Sequence, residues 1–225
     1  MLPNLHISAD LNKKCPNLQL AFISCKVQVE KKNELLWQTI EETEKNIKNT
    51  VLTAPAIGKL PNIAESRAAY KRLGKEPSRY RLSAEALMRR IVKGKSIYQI
   101  NNVVDVINLV SMQSGYSIGG YNAEKIVGNV IFGIGKQAEP YEAIGRGSLN
   151  IEFLPVFRDK LGAFGSPTSD SLRTMISHDT QQLLMVIIDF EGKKQILEQT
   201  QQKAIKLLEK YAAAQNIVSD VVKVF

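Results

Sequence analysis

Histidine and cysteine are scarce in this chain: 225 residues hold two of each, His6, His178, Cys15 and Cys25. A zinc site would have to draw most of its ligands from carboxylates, an arrangement rarer than His or Cys sets, so neither a metal nor a cofactor is expected. Cys15 stands beside Pro16 and Cys25 lies in an apolar run, which gives neither a metal-knuckle spacing nor a disulfide framework; both thiols are expected to be reduced. No apolar stretch approaches the roughly 18 residues that a membrane span requires. The opening Met1-Leu2-Pro3-Asn4-Leu5-His6 has neither the basic region nor the apolar run of a secretory leader. The expectation is a cytoplasmic protein with no membrane partner. A hydrophobic share of 44% is enough to build a full core.

Charge is where the chain departs from the ordinary. Between Arg67 and Lys95 stand ten basic residues (Arg67, Lys71, Arg72, Lys75, Arg79, Arg81, Arg89, Arg90, Lys93 and Lys95) against two acids, Glu76 and Glu85. That local +8 equals the formal net charge of the whole protein, so the rest of the chain cancels. Potentials of neighbouring cations add within a Debye length of about 8–10 Å, so a block of this kind attracts a phosphate backbone far better than the same charge dispersed. A nucleic acid or another polyphosphate is the partner class this predicts, against the plainer alternative of a solvated helix and loop.

The hydrophobic pattern predicts a strand over residues 18–29 and then a helix from Asn33 that carries Leu36, Trp37, Ile40 and Ile47 on one face. Pro55, Gly58 and Pro61 mark a connection into the basic block. Ser83 as N-cap, Glu85 early, Arg89, Arg90 and Lys93 late and Gly94 beyond define a short helix. A second helix is expected from Asn102 to Ser114 with Gly115 as its stop. Strands follow over 127–134, 148–153 and 183–188, a helix-sized stretch over 174–180, and an amphipathic helix over 193–214. Strands and helices without strict alternation predict an α+β fold, with mixed or antiparallel sheets flanked by helices. A division into an N-terminal βα extension, residues 1–66, packed on a main domain, residues 67–225, fits this pattern. Nothing in it specifies an oligomeric state.

Four segments, in order, resemble the B3/B4 domain of the β subunit of bacterial phenylalanyl-tRNA synthetase, and in particular its free-standing relatives. They are Pro77-Ser-Arg-Tyr-Arg-Leu-Ser-Ala-Glu-Ala-Leu-Met-Arg-Arg, Val104-Asp-Val-Ile-Asn-Leu-Val, Gly115-Tyr-Ser-Ile-Gly-Gly-Tyr-Asn-Ala-Glu-Lys-Ile and Asp159-Lys-Leu-Gly-Ala-Phe-Gly-Ser-Pro-Thr-Ser-Asp-Ser-Leu-Arg-Thr. The resemblance implies a B3/B4-like fold, a tRNA or aminoacyl-tRNA partner, and a pocket that hydrolyses the ester of a wrongly acylated tRNA. Nothing resembles the synthetase motifs for amino-acid activation, so the chain is not expected to charge tRNA by itself. Asn108 matches the family's site asparagine. Gly119 stands where the family has its editing histidine, and Pro167 where it has the glutamate that meets the tyrosine hydroxyl.

Beside that gap the chain supplies Thr168, Ser169, Asp170, Ser171 and Arg173. Hydroxyls and a guanidinium fork there suit a carboxylate or phosphate. The plainer reading of Asp170 is an N-cap with a first-turn ion pair to Arg173. The candidate pocket is therefore Asn108, Gly119, Thr168, Ser169, Asp170 and Arg173. The candidate RNA surface is Arg67, Lys71, Arg72, Arg79, Arg81, Arg89, Arg90 and Lys93. Deacylation of a misacylated tRNA and non-catalytic recognition of an amino acid or similar small molecule both remain open for this pocket; a third reading is an enzyme on small carboxylates with Asp170 as base. Asp105, three residues before Asn108, is expected to bridge or cap within the core. His178 is expected at a helix end on the surface.

Overall fold

The computed structural model describes residues 4–51 and 53–223. In chain order the elements are β1 (Leu5–Ile7), α1 (Ala9–Lys14), β2 (Gln19–Lys26), α2 (Glu34–Thr50), α3 (Ala54–Ile57), α4 (Pro61–Leu73), α5 (Ser83–Val92), α6 (Asn102–Ser114) and β3 (Ile118–Asn122). They continue with β4 (Val130–Ile134), β5 (Glu142–Ala143), β6 (Gly147–Ser148), β7 (Pro155–Asp159), β8 (Gly162–Gly165), β9 (Gln182–Asp189), α7 (Lys194–Ala212) and β10 (Gln215–Lys223). One sheet has the order β10-β2-β9-β3 and is antiparallel throughout; the second, β1-β4-β7-β8, joins β1 to β4 in parallel and the rest antiparallel. This is the α+β architecture with mixed sheets that the pattern predicts.

β9 explains why Leu183–Ile188 is apolar at every position. Leu183, Met185 and Ile187 pack into a cluster with α2, α5, α6 and α7, while Leu184, Val186 and Ile188 pack into a second cluster against β4, β7 and β8. A strand covered on both faces loses the hydrophobic–polar alternation and reads as a continuous run. The fold thus has a helical layer, a central sheet and a second sheet.

Several sequence expectations require correction. Ser83 is the first residue of α5, not its cap; Leu82 holds the cap position without a side-chain bond. Of the strand expected over 148–153 only Ser148 is in a strand, at the end of β6; the rest is irregular and ends in a turn at residues 152–153 before β7. The stretch 174–180 is not a helix: a short 3-10 turn covers Leu172–Thr174 and is capped by Ser171, whose hydroxyl accepts from the Arg173 amide. The connection after Pro61 is a helix of 13 residues, opened by that proline at its first turn and closed by Gly74 in the left-handed conformation at φ +90°.

Tyr121, on β3, crosses from the central sheet to the second one. Its ring packs edge-on against Phe164 at 4.9 Å and Phe157 at 5.9 Å between ring centroids. Its hydroxyl fills the space over two glycines: a Cβ at Gly119 would sit 2.0 Å from the phenolic oxygen, and one at Gly165 would sit 2.2 Å away. Each of Gly119→Ala and Gly165→Ala is expected to cost about 1–3 kcal/mol in urea unfolding, as overpacked cores do. Adding Tyr121→Phe to Gly119→Ala removes the nearest clashing atom and should restore part of the loss; an undiminished loss would show that the tyrosine does not set the constraint.

Candidate cationic groove and the adjoining polar loop

The basic block sorts into two populations. One is consumed in holding the fold. Glu85 is fully buried on α5 and takes ion pairs from Arg67 on α4 at 2.9 Å and from Arg89, one turn along its own helix, at 2.8 Å. Arg72 pairs with Glu191 at 2.8 Å. Lys75 is buried after the end of α4; its ammonium donates to the carbonyls of Asn150 and Glu152 and lies 3.9 Å from the Tyr80 ring centroid. Burial pushes its pKa below the ordinary lysine value. Lys71 is exposed on α4 but does not line the groove described next.

The second population forms a groove of about 310 Å³ lined by Arg79, Arg81, Ala86, Arg89, Arg90, Lys93, Lys95 and Arg146. Among the described residues its lining carries seven cations and no acid. Arg89 belongs to both populations, since its Nε bonds Glu85 and its side chain also lines the groove. Such a concave set of like charges gives the summed potential that draws a polyanion. Of the eight expected RNA-facing residues, Arg79, Arg81, Arg89, Arg90 and Lys93 come together here; Arg67, Lys71 and Arg72 do not. Arg146 completes the wall from the tip of the β5–β6 hairpin, between Gly145 at φ +67° and Gly147 at φ +68°. Left-handed glycines on both sides permit a tight turn that a side-chain-bearing residue would strain. Sequence reasoning missed it, because one arginine in an otherwise neutral half leaves no charge signal.

The groove opens beside the loop that carries the expected pocket. α5 starts against that loop, with the Ser83 amide donating to the Pro167 carbonyl at 2.8 Å. Within it the polar groups are largely matched to one another. Thr168 Oγ1 lies 2.9 Å from Tyr70 Oη in a buried pair, and the Ser169 carbonyl accepts from Tyr141 Oη at 2.7 Å and from Ser166 Oγ at 3.0 Å. Asp170 accepts the Gly120 amide on Oδ2 at 3.3 Å. Its Oδ1 and the Tyr121 hydroxyl are sealed from solvent and neither closes a hydrogen bond of normal geometry. Burial drives the Asp170 carboxyl up from 3.8 to about 7, against the pull of the Gly120 amide.

Arg173 is not paired with Asp170. Its guanidinium grips Asp159 through two bonds, 2.8 and 3.1 Å, and also donates to the carbonyls of Gly162 and Lys125. Asn108 is half-buried on α6 beside Ile107, whose side chain packs over Gly120, and among the described residues its amide makes no hydrogen bond. The structure therefore gathers Gly119, Thr168, Ser169 and Asp170 around Tyr70, Tyr121 and Tyr141, and turns Arg173 toward Asp159. His178 stands exposed in a turn, not at a helix end, and His6 is exposed on β1. No group of three or more His, Cys, Asp or Glu side chains that could hold a metal ion occurs among the described residues. Nor is any helix among them long and apolar enough to cross a membrane.

Comparison with known proteins gives a family and several similar solved structures. The family model described as B3/4 domain matches residues 65–213, which include every groove residue and the whole polar loop. Among solved structures, an N-terminal fragment of the phenylalanyl-tRNA synthetase β-subunit from Pyrococcus horikoshii superposes with a TM-score of 0.49 at 11% sequence identity. The superposition covers 98% of this chain and 50% of that one, so the chain spans half the length of that structure. No curated protein matches it.

The buried Asp170 carboxyl has a consequence for stability. Its proton is held more tightly in the folded chain than in the unfolded one, so its contribution is complete below about pH 4 and is lost as pH rises through about 7. Asp170→Asn keeps a neutral group in place and removes this dependence. Denaturant titrations between about pH 4 and about pH 7.5 should show the wild type losing stability relative to the variant as pH rises. A pH-independent difference would mean that the carboxyl ionises as an exposed one does.

Proposed function

The chain belongs to the B3/4 domain family, and from that premise we propose that it binds tRNA or aminoacyl-tRNA, holding the phosphate backbone in the groove between α5 and the β5–β6 hairpin. The observation that carries this reading is the lining of seven cations without an acid, two of which, Arg89 and Arg90, are already held by Glu85 and by the Ser96 carbonyl. Cations that are already ordered lose less freedom on meeting phosphate than free surface chains do. Guanidinium groups, which dominate the lining, match phosphate oxygens with paired donors.

Three uses of the adjoining loop were open from the sequence: ester hydrolysis of a misacylated tRNA, recognition of an amino acid or similar small molecule without chemistry, and an enzyme on small carboxylates. The packing of the loop speaks against each of them as a use of this loop. Hydrolysis needs a held water and free donors near the developing oxyanion. Here Tyr121 fills the space over Gly119 and Gly165, Tyr70 and Tyr141 engage Thr168 and Ser169, and Arg173 is bound to Asp159. The loop acts as the wall against which α5 is seated, and the protein acts as a binder.

Affinity for tRNA should fall steeply with salt, by a factor set by the number of phosphates neutralised, about 0.7–0.9 in slope for each. Arg81→Ala with Arg146→Ala removes two groove cations and should lower the slope of log K against log salt by about 2, whereas Lys71→Ala should leave it nearly unchanged. No binding at low salt, or an equal effect of Lys71→Ala, would overturn the reading. In a separate assay, release of labelled amino acid from mischarged tRNA should match the uncatalysed rate. Turnover that Asp170→Ala or Asn108→Ala abolishes would restore the hydrolytic alternative.

A further inference from the structure

Tyr98 is a large aromatic side chain left 66% exposed next to the groove, and Ile100, two residues on, is 52% exposed. Both belong to the segment between α5 and α6, and that segment is firmly tied. The Ile97 amide and the Ser96 hydroxyl both donate to Oε1 of Glu44, a buried carboxylate on α2, at 2.8 Å. The Ile100 amide donates at 3.1 Å to Oδ1 of the buried Asp105 on α6, whose other oxygen accepts from Trp37 Nε1 at 2.8 Å. Two interior carboxylates thus pin the backbone on either side of Tyr98, while Ile97 is buried between them. Exposure here is not slackness.

On the side of the groove, the guanidinium of Arg90 stacks over the Tyr98 ring, its carbon 3.9 Å from the centroid. Arg90 Nε donates to the Ser96 carbonyl, so the arginine and the ring are held by the same segment. Arg90 is itself a groove-lining residue, together with Lys93 and Lys95. One face of the ring carries a cation, and the high exposure leaves surface of the same ring open to a ligand. A cation on one side and a π-face next to a run of phosphate-binding groups is the arrangement that single-stranded nucleic acids use: charge follows the backbone and aromatic rings take the bases. A base inside a duplex cannot stack on a side chain without leaving its neighbours.

We propose that Tyr98 is a stacking platform for an unpaired base at the Arg90 end of the groove, so that the preferred ligand is an RNA with a single-stranded stretch next to the phosphates the groove holds. This rests on the reading that the groove binds RNA. It goes further in assigning base contact to a residue outside the cationic set and in naming single-stranded RNA as the favoured form. The neighbouring cations favour nucleic acid over an apolar protein partner for the exposed Tyr98 and Ile100.

The test compares a single-stranded oligoribonucleotide of about a dozen nucleotides with an abasic oligomer of the same length and the same phosphates, by fluorescence anisotropy at low salt. The wild type should bind the base-bearing probe about tenfold more tightly, or better. Tyr98→Ala should erase that ratio while keeping the affinity for the abasic probe and the salt slope of the wild type; Tyr98→Phe should preserve the ratio. An unchanged ratio in Tyr98→Ala would overturn the proposal and leave the groove reading standing, and would be the result if the exposed ring served protein contact. Equal affinity of the wild type for both probes would overturn it as well. A wild type that binds neither probe nor tRNA would overturn both readings together.

Discussion

Seven like charges around one groove repel each other, and the helix that carries several of them is tied down by a carboxylate that never sees water. Glu85 draws Arg67 from α4 and Arg89 from its own helix into one buried ion-paired set, so the helix that carries the groove's cations is locked to its neighbour at the point where repulsion is strongest. Buried ion pairs contribute little net stability compared with a packed apolar core, but losing one partner leaves an uncompensated charge. What they contribute here is registry between α4 and α5. The Ser83 amide on the Pro167 carbonyl fixes the same N-terminal end of the helix against the polar loop. The backbone that carries the groove is therefore set by the fold, while Arg89 and Arg90 are the lining cations held by hydrogen bonds.

The same economy governs the polar loop. Where an open pocket would need unfilled space and free donors, this chain has Tyr121 reaching from β3 over Gly119 and Gly165, and Tyr70 and Tyr141 satisfying the hydroxyl and carbonyl of Thr168 and Ser169. Asp170 is left as a sealed carboxyl that burial pushes toward its protonated form. The glycine at position 119 is thus more than the loss of a functional side chain. It is the room that Tyr121 occupies.

Much of the architecture was legible because burial on known faces leaves periodic marks. The helices α2, α5, α6 and α7 and the strands β2, β4 and β9 all carry such marks, and the four family-like segments fall on the groove helix, the Asn108 helix, β3 and the β8 loop. The failures have physical causes. α4 starts at a proline and reads from the sequence as a connection, although proline at a first helical turn costs nothing. β10 is an edge strand with one neighbour and little burial, so nothing in 215–223 stands out. Charge counting located the basic face but could not tell which cations are spent inside: Arg67, Arg72 and Lys75 have partners 18, 119 and 75 or more residues away. Arg146 escaped for the converse reason, since only the fold brings it to the groove, whereas Tyr98 follows the block directly but, as a lone aromatic, carries no charge signal.

The central claim is that RNA lies along the groove of Arg79, Arg81, Arg89, Arg90, Lys93, Lys95 and Arg146. Ultraviolet cross-linking of bound tRNA to the intact protein, followed by peptide mass spectrometry, reads the location directly. Cross-links should fall within residues 79–98 and on the hairpin that carries Arg146. Cross-links confined to the α4 surface around Lys71 or to α7, with none in the groove, would contradict the account.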